Sequence, residues 1–411
     1  MGAFGQRHMK LAVPFGFYGA GNVGDEATLL GFGRLIKQFG KGVEVDMATS
    51  CVNQARKVEP FFHYYPYTDG IMGMEPKLRA HLASGYIFAG GTPISDSLGE
   101  WPLRTVAGIL DHSHNWGKPT VFIGVGIEHL DHELSRQRMR EHIIPNTLAW
   151  SVRSEKDRDR LLELGMDGED VAVAADMAWL LDPVDGAYGR EVFEKFGLGD
   201  RPVIGVNVNA EPHLMSKSPQ LFTEMAAALD HVVETHNAQI LFLFAEIREG
   251  ETYDQAASET VRNLMVHKDA AIMGPREYLI PQQMMSIISQ CATTISTRYH
   301  FCMFSALQAK PFLAISRSDK VTDFCSDMDW KSEIDPAHVH RDLITAEVER
   351  QLGGIPEEMG KLPGKIAAMR KRAEKNALVL DKLVAASAGK GPQTWLLHAA
   401  GRVGQKLGVG R

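Results

Sequence analysis

Three groups of residues have the types and spacing to do chemistry. The first is Gly16-Phe-Tyr-Gly-Ala-Gly-Asn-Val-Gly-Asp-Glu26, a Gly-rich turn that ends in two carboxylates, Asp25 and Glu26. The second is Thr297-Arg298-Tyr299-His300. Here an Arg fork for carboxylate or phosphate is followed two residues on by a His that can donate and move protons. The third is Ser316-Arg317-Ser318-Asp319-Lys320, which brings a further cation after the next apolar run. The chemistry these residues could support is recognition of a multiply charged anion together with proton transfer.

The Gly-rich turn contains Gly19, Gly21 and Gly24 in Gly-x-Gly-x-x-Gly spacing, with Asp46 further on near the distance of a ribose partner. A dinucleotide site is the first reading, and we reject it. Asp25 and Glu26 stand where a pyrophosphate would meet the helix N-terminus, and they would repel it. Their alternative role is to cap the helix. Gly90-Gly91-Thr92-Pro-Ile-Ser-Asp96 is a second turn ending in a carboxylate, and Arg153 closes a short apolar segment. For Arg298 and Lys320 the bland alternative is a structural ion pair and a solvated side chain. His112 and His114 form a His-x-His without a third ligand at metal spacing, so no metal site is expected.

The elements that must position these groups alternate. Strand-like runs at Val43–Thr49, Gly85–Ala89, Thr120–Val125, Trp150–Arg153 and Val171–Ala174 are separated by helical stretches. Pro183, Gly186, Gly189 and Gly197 mark a boundary. A second alternating set follows, with strands expected at Pro202–Asn207, Gln239–Phe244, Ala270–Met273, Thr293–Ser296 and Pro311–Ile315. The pattern predicts an α/β protein with two Rossmann-like domains facing each other across a cleft, followed by C-terminal helices. The expected divisions are 1–185, 186–340, a helical segment 341–388 and a basic tail 389–411. In a parallel sheet successive strand ends are neighbours, so Lys320 should reach the pocket of Arg298 and His300. Asp25 and Glu26 should come from the opposite domain.

The 411-residue chain is 44% hydrophobic and 23% charged, which fits a globular protein. A net charge of −7 without a long basic stripe argues against nucleic acid as a partner. Four scattered Cys (51, 291, 302 and 325) fit reduced thiols in a cytoplasmic protein. No apolar run reaches membrane-span length. A lipid-linked substrate would therefore be met from the water side, at the inner face of the membrane. The tail carries Trp395, Leu396 and Leu397 before Arg402, Lys406 and Arg411. It reads either as a basic amphipathic helix in peripheral contact with anionic lipid or as a frayed terminus. The oligomeric state is not legible.

Taken in order, these motifs resemble the polysaccharide pyruvyl transferase family. The matching segments are Gly19 to Glu26, Gly90-Gly91 with Asp96, Ser151-Val152-Arg153, Asp176 to Leu181, Arg298 with His300, and Lys320. Thr92 replaces a third Gly, and Tyr299 stands where an aliphatic residue is common. The resemblance implies a glycosyltransferase-B-like fold and phosphoenolpyruvate as donor and co-substrate. It also implies a pyruvyl ketal formed on a sugar of a bacterial surface polysaccharide or its lipid-linked precursor, with no redox cofactor. It assigns the donor to Arg153, Arg298, His300 and Lys320. Placement adds Asp25, Glu26 and His300 as catalytic acid/base candidates and Gly21, Asn22, Gly91 and Asp96 as acceptor contacts. A glycosyltransferase using a nucleotide sugar is the main alternative. A nicotinamide dehydrogenase and a non-catalytic sugar-binding protein are lesser ones.

Overall fold

The computed structural model describes residues 9–66, 79, 81–97, 99–248, 250, 251 and 253–389. By its contacts the chain forms two units. The first takes the chain up to Ala20, Thr28–Leu181 and the chain from Met369 on. The second takes Gly21–Ala27 and Asp182–Ala368.

The first unit holds a seven-stranded parallel sheet. Its strands are β1 (Met9–Val13), β2 (Val43–Thr49), β3 (His63–Pro66), β4 (Gly85–Ala89), β5 (Thr120–Val125), β6 (Ala149–Val152) and β7 (Val171–Val173), in the order β3-β2-β1-β4-β5-β6-β7. β4, β5 and β6 are buried along their whole length, as parallel strands covered by helices on both faces must be. Their register stacks Phe88 on Phe122 and Phe122 on Trp150, with ring centroids 4.6 and 3.8 Å apart.

The second unit holds β8 (Val203–Asn207), β9 (Gln239–Phe242), β10 (Ala271–Met273), β11 (Thr293–Ser296), β12 (Phe312–Ile315) and β13 (Glu333–Ile334). They form a parallel sheet in the order β10-β9-β8-β11-β12-β13. This is the doubly wound order, and the direction of winding reverses between β8 and β11. Its core gathers Ile204, Val206, Leu229, Ile240, Phe242 and Ile295 from the strands and one covering helix.

Two boundaries differ from expectation. The C-terminal helices are not a segment of their own. Arg341–Leu352 belongs to the second unit, while Asn376–Ser387 lies against the first sheet. Backbone carbonyls of the first unit hold the returning chain. Arg370 Nη2 donates to Leu181 O (2.6 Å), and Asn376 Nδ2 donates to Ala175 O (2.9 Å). Ser151 Oγ donates to Asn376 Oδ1 (2.7 Å), so the buried Asn is satisfied on both sides of its amide. The other difference concerns Gly21–Ala27, which the sequence places in the first domain and which packs with the second. The basic tail lies outside the described residues, apart from Gly389. Among the described residues no helix is long and apolar enough to cross a membrane.

Candidate functional site

The switch point between β8 and β11 carries the richest side-chain chemistry of the second unit. Ser296 ends β11, and Thr297 and Arg298 follow it, with Arg298 at the N-cap of the helix Tyr299–Leu307. Asn207 ends β8, and Asn209 lies two residues on. The two strand ends are tied together. Ser296 Oγ donates to Asn207 Oδ1 (3.1 Å) and accepts from the Arg298 N–H (2.9 Å). Thr297 Oγ1 donates to Asn209 Oδ1 (2.9 Å).

Arg298 is 7% exposed and is clamped by two carboxylates. Its Nε and Nη2 donate to Asp254 Oδ1 at 2.9 and 2.5 Å, and Nη2 also donates to Glu246 Oε2 at 2.8 Å. Asp254, itself fully buried, uses its other oxygen to accept from Asn207 Nδ2 and from the Ala245 and Glu246 N–H groups. Burial alone would disfavour the guanidinium charge. Asp254 and Glu246 more than reverse that and keep Arg298 charged. The structural ion pair named above as the bland alternative for Arg298 is therefore present, and losing the guanidinium would leave two buried carboxylates without their counter-charge. Nη1 has no acceptor among the described residues.

The start of the first helix, Val23–Phe39, docks onto this cluster. The Val23 N–H donates to Ala245 O (2.8 Å) and the Ile247 N–H to Gly21 O (3.0 Å), and Asn22 bridges Glu246 as an antiparallel pair. Gly21 sits at φ +91°, a conformation that L side chains rarely adopt. Gly24 lies so close to the His300 imidazole that a Cβ would overlap it. The last Gly of the Gly-x-Gly-x-x-Gly run therefore serves a close approach to His300. Asn22 Oδ1 accepts from the Gly24 N–H (2.9 Å) and fixes the turn.

Asp25 is half-buried, with His300, Glu246, Arg248 and Arg298 within electrostatic reach. Burial pushes its carboxyl up to about 6. His300 opposes that rise, Glu246 adds to it, and Arg248 and Arg298 oppose it. Asp25 thus belongs to the same unit as the basic cluster, a correction to its expected place in the opposite domain. The reason is the backbone pairing of Gly21–Val23 with Ala245–Ile247. Glu26 is fully buried one residue on.

A further acidic residue joins the cluster. Glu211, four residues past β8, forms an ion pair with Arg317. Burial would raise the Glu211 carboxyl, but Arg317, Arg298 and Lys320 together hold it below its usual range. Lys320 therefore lies within electrostatic reach of the group that also feels Arg298, as neighbouring strand ends predict.

The remaining expected site residues belong to the first unit. Arg153 donates from Nη1 to Asp176 Oδ2 (2.9 Å) and from Nη2 to Thr92 Oγ1 (3.0 Å). Gly90 and Gly91 have positive φ at the turn after β4. Asp96 accepts from the Asp131 and His132 N–H groups (3.3 and 3.0 Å), which employs both its oxygens in holding a loop. That contact gives its carboxylate a structural task where an acceptor contact was expected. Asp46 is buried in mid-strand, opposite Ala12 of β1 and His63 of β3. Lys10, Arg79 and His63 surround its carboxylate at 3.7, 3.7 and 3.4 Å, so a ribose partner is not available there. Among the described residues no group of three or more His, Cys, Asp or Glu is placed to hold a metal ion.

Sequence reasoning missed Glu246, Asp254, Glu211 and Asn209. Glu246 and Glu211 carried a usable signal, since each follows a strand next to β11 or one removed from it. Asp254 carried none, because it opens the helix Asp254–Leu264 and follows no strand end.

The model of the family described as polysaccharide pyruvyl transferase matches residues 22–319. No curated protein matches the sequence. Among solved structures, the S. aureus MnaA–UDP complex is similar at TM-score 0.62 and 12% identity, covering 90% of this chain and 94% of that one. UDP-GlcNAc 2-epimerase from Neisseria meningitidis, bound to UDP-GlcNAc, is similar at TM-score 0.58 and 10% identity, covering 92% and 100%. HepE from Anabaena, in complex with UDP and glucose, is similar at TM-score 0.55 and 11% identity, covering 97% and 100%. At these identities the likeness shows the fold, two Rossmann-like domains of the glycosyltransferase-B type.

Proposed function

Because the chain belongs to the polysaccharide pyruvyl transferase family, we propose that it transfers the pyruvyl group of phosphoenolpyruvate to two hydroxyls of a saccharide, forming a ketal and releasing phosphate. The observation that carries this reading is the juxtaposition of Asp25 and His300 with the cations Arg298, Arg317 and Lys320 around one strand-end switch point.

The donor carries a carboxylate and a phosphate. Arg298 through Nη1, Lys320 and the His300 imidazole are the groups proposed to hold it. The donor methylene must gain a proton, and both sugar hydroxyls must lose theirs. One of those protons is accounted for at the methyl group and the other on the departing phosphate, so the reaction balances without a redox cofactor. Asp25, with its carboxyl near 6, can exchange a proton close to neutral pH. Asp25 and His300 are together the proposed proton-transfer pair. Glu26 is the reserve candidate, and its full burial makes it the less accessible one. Arg153 enters this proposal through the family motif alone, and so do Gly91 and Asp96 as acceptor contacts. Gly21 and Asn22 lie beside Asp25, which supports their place near an acceptor.

A second reading is transfer of a sugar from a nucleotide donor. It draws on solved structures of the same fold that hold UDP, glucose or UDP-GlcNAc. Thermal-shift measurements with phosphoenolpyruvate, UDP, GDP and NAD separate the readings, because a ligand that binds the native state raises its apparent stability. Stabilisation by phosphoenolpyruvate is expected. Stabilisation by UDP or GDP alone supports the second reading. A cytoplasmic location, with acceptors met at the inner membrane face, remains part of the proposal.

A further inference from the structure

The Glu211–Arg317 ion pair sits where the proposed donor anion should bind. β8, β11 and β12 are consecutive in the sheet, and their carboxyl ends present Asn209, then Thr297 and Arg298, then Arg317 and Lys320. Besides Asp254 and Glu246, which hold Arg298, the carboxylate of Glu211 lies here, paired with Arg317 and within electrostatic reach of Arg298 and Lys320. Two donors at these strand ends have no acceptor. Asn209 Nδ2 is fully buried, and Arg317 Nε is shielded from water, yet neither finds a hydrogen-bond partner among the described residues. Buried donors left unsatisfied are uncommon, and they point to a missing acceptor.

We infer that Glu211 is a built-in stand-in for a ligand anion, and that an oxyanion binds by displacing the Glu211 carboxylate from Arg317. Arg317 then becomes a ligand contact, and the Asn209 amide, tied through its Oδ1 to Thr297, is a further neutral donor at the same edge of the sheet. The choice of phosphoenolpyruvate as that anion rests on the function proposed above. The displacement itself applies to any phosphate-bearing ligand.

The ion pair suits such an exchange. Glu211 is 47% exposed at its side chain and Arg317 19%, so the pair is partly solvated and weakly held. Replacing the carboxylate by a dianion costs one modest interaction and gains a stronger one. Glu211 also screens the Arg317 charge in the free protein. A monoanion of low charge density would displace it poorly. The pair therefore selects for multiply charged ligands.

The test is a binding cycle on the full chain, with inorganic phosphate and phosphoenolpyruvate as probes, read by calorimetry for wild type, Glu211→Gln, Arg317→Ala and the double variant. Melting temperatures serve as the folding control, and Glu211→Ala provides a second carboxylate-free variant. Glu211→Gln is expected to bind both probes about five- to tenfold tighter than wild type, from removal of one nearby negative charge. Arg317→Ala should bind them more weakly. In the double variant the gain from Glu211→Gln should vanish, because the carboxylate acts through Arg317. Equal or weaker binding by both folded Glu211 variants, or unchanged binding by Arg317→Ala, overturns the inference. If phosphate shows the Glu211 dependence and phosphoenolpyruvate does not bind, the displacement stands and the donor assignment fails. If phosphoenolpyruvate binds and turns over with no Glu211 dependence, the reverse holds.

Discussion

Gly24 and His300 are packed so closely that no Cβ fits between them. Gly24 lies in the first turn of the helix Val23–Phe39, and His300 in the first turn of Tyr299–Leu307. The contact places the start of one helix against the proposed proton-transfer imidazole.

Replacing Gly24 by Ala is therefore expected to shift the imidazole while leaving both sheets intact. The added methyl meets the ring itself, and the ring must rotate away. Turnover should fall at least tenfold, since displacement of a reacting group by about 1 Å can cost on the order of a hundredfold. Steady-state kinetics with a circular dichroism melt checks this. Turnover at the wild-type level would show that the position of His300 does not matter.

Asp25→Asn separates catalysis from capping. Asn is itself a good cap, so a purely structural Asp25 predicts little change in turnover. The proposed role predicts a loss of about 10²–10⁴-fold with donor affinity nearly unchanged. Stability adds an independent sign. The folded-state pKa near 6 lies above the unfolded value of 3.8. The native state therefore binds the proton more tightly, and the stability this confers is present in full below pH 4. It is lost as pH rises through 6. Above that, ionised Asp25 costs on the order of 2–3 kcal/mol. Asp25→Asn should consequently raise the melting temperature at pH 8 and change it little at pH 4. Urea melts at both pH values measure the difference, and a destabilised variant at pH 8 would contradict the proposed environment.

Arg298 now carries two expectations. Arg298→Ala should lose donor binding and also destabilise the fold, by about 3–5 kcal/mol, because it strands Asp254 and Glu246 without their counter-charge. Arg298→Lys keeps the charge and loses the fork, so it should fold better than the Ala variant and still bind the donor weakly. Calorimetric titration of phosphoenolpyruvate into Arg298→Lys is the cleaner measurement. Wild-type affinity there would assign Arg298 to the fold alone.

Much of the scaffold was legible because buried parallel strands are short, apolar and bounded by turn residues. Val43–Thr49, Gly85–Ala89, Thr120–Val125 and Thr293–Ser296 have the limits their patterns predict. The short strand His63–Pro66 escaped notice because it is an edge strand with exposed ends and no apolar run. The helix Ala187–Phe196 lies where Pro and Gly suggested a linker, and Gly189 there packs closely against Ser286 of a neighbouring helix. In the candidate site, local motifs singled out Asp25, Arg298, His300 and Lys320. They could not show that Arg298 is held by carboxylates 44 and 52 residues away, since such pairings arise only when β8, β9 and β11 come together. Nor could they show which unit the Gly-rich turn joins, because that is decided by its backbone bonds to Ala245 and Ile247.

The central claim is ketal formation from phosphoenolpyruvate, and acceptor-dependent phosphate release tests it most directly. The wild-type chain is incubated with ¹⁴C-labelled phosphoenolpyruvate and a panel of nitrophenyl and lipid-linked sugars, and both free phosphate and labelled sugar are followed. The account predicts that one acceptor class gains label in a 1:1 ratio to phosphate released, that no phosphate appears without acceptor, and that Asp25→Asn slows both signals together by about 10²–10⁴-fold. Transfer of a sugar from a nucleotide donor, with no label entering any acceptor from phosphoenolpyruvate, would contradict it.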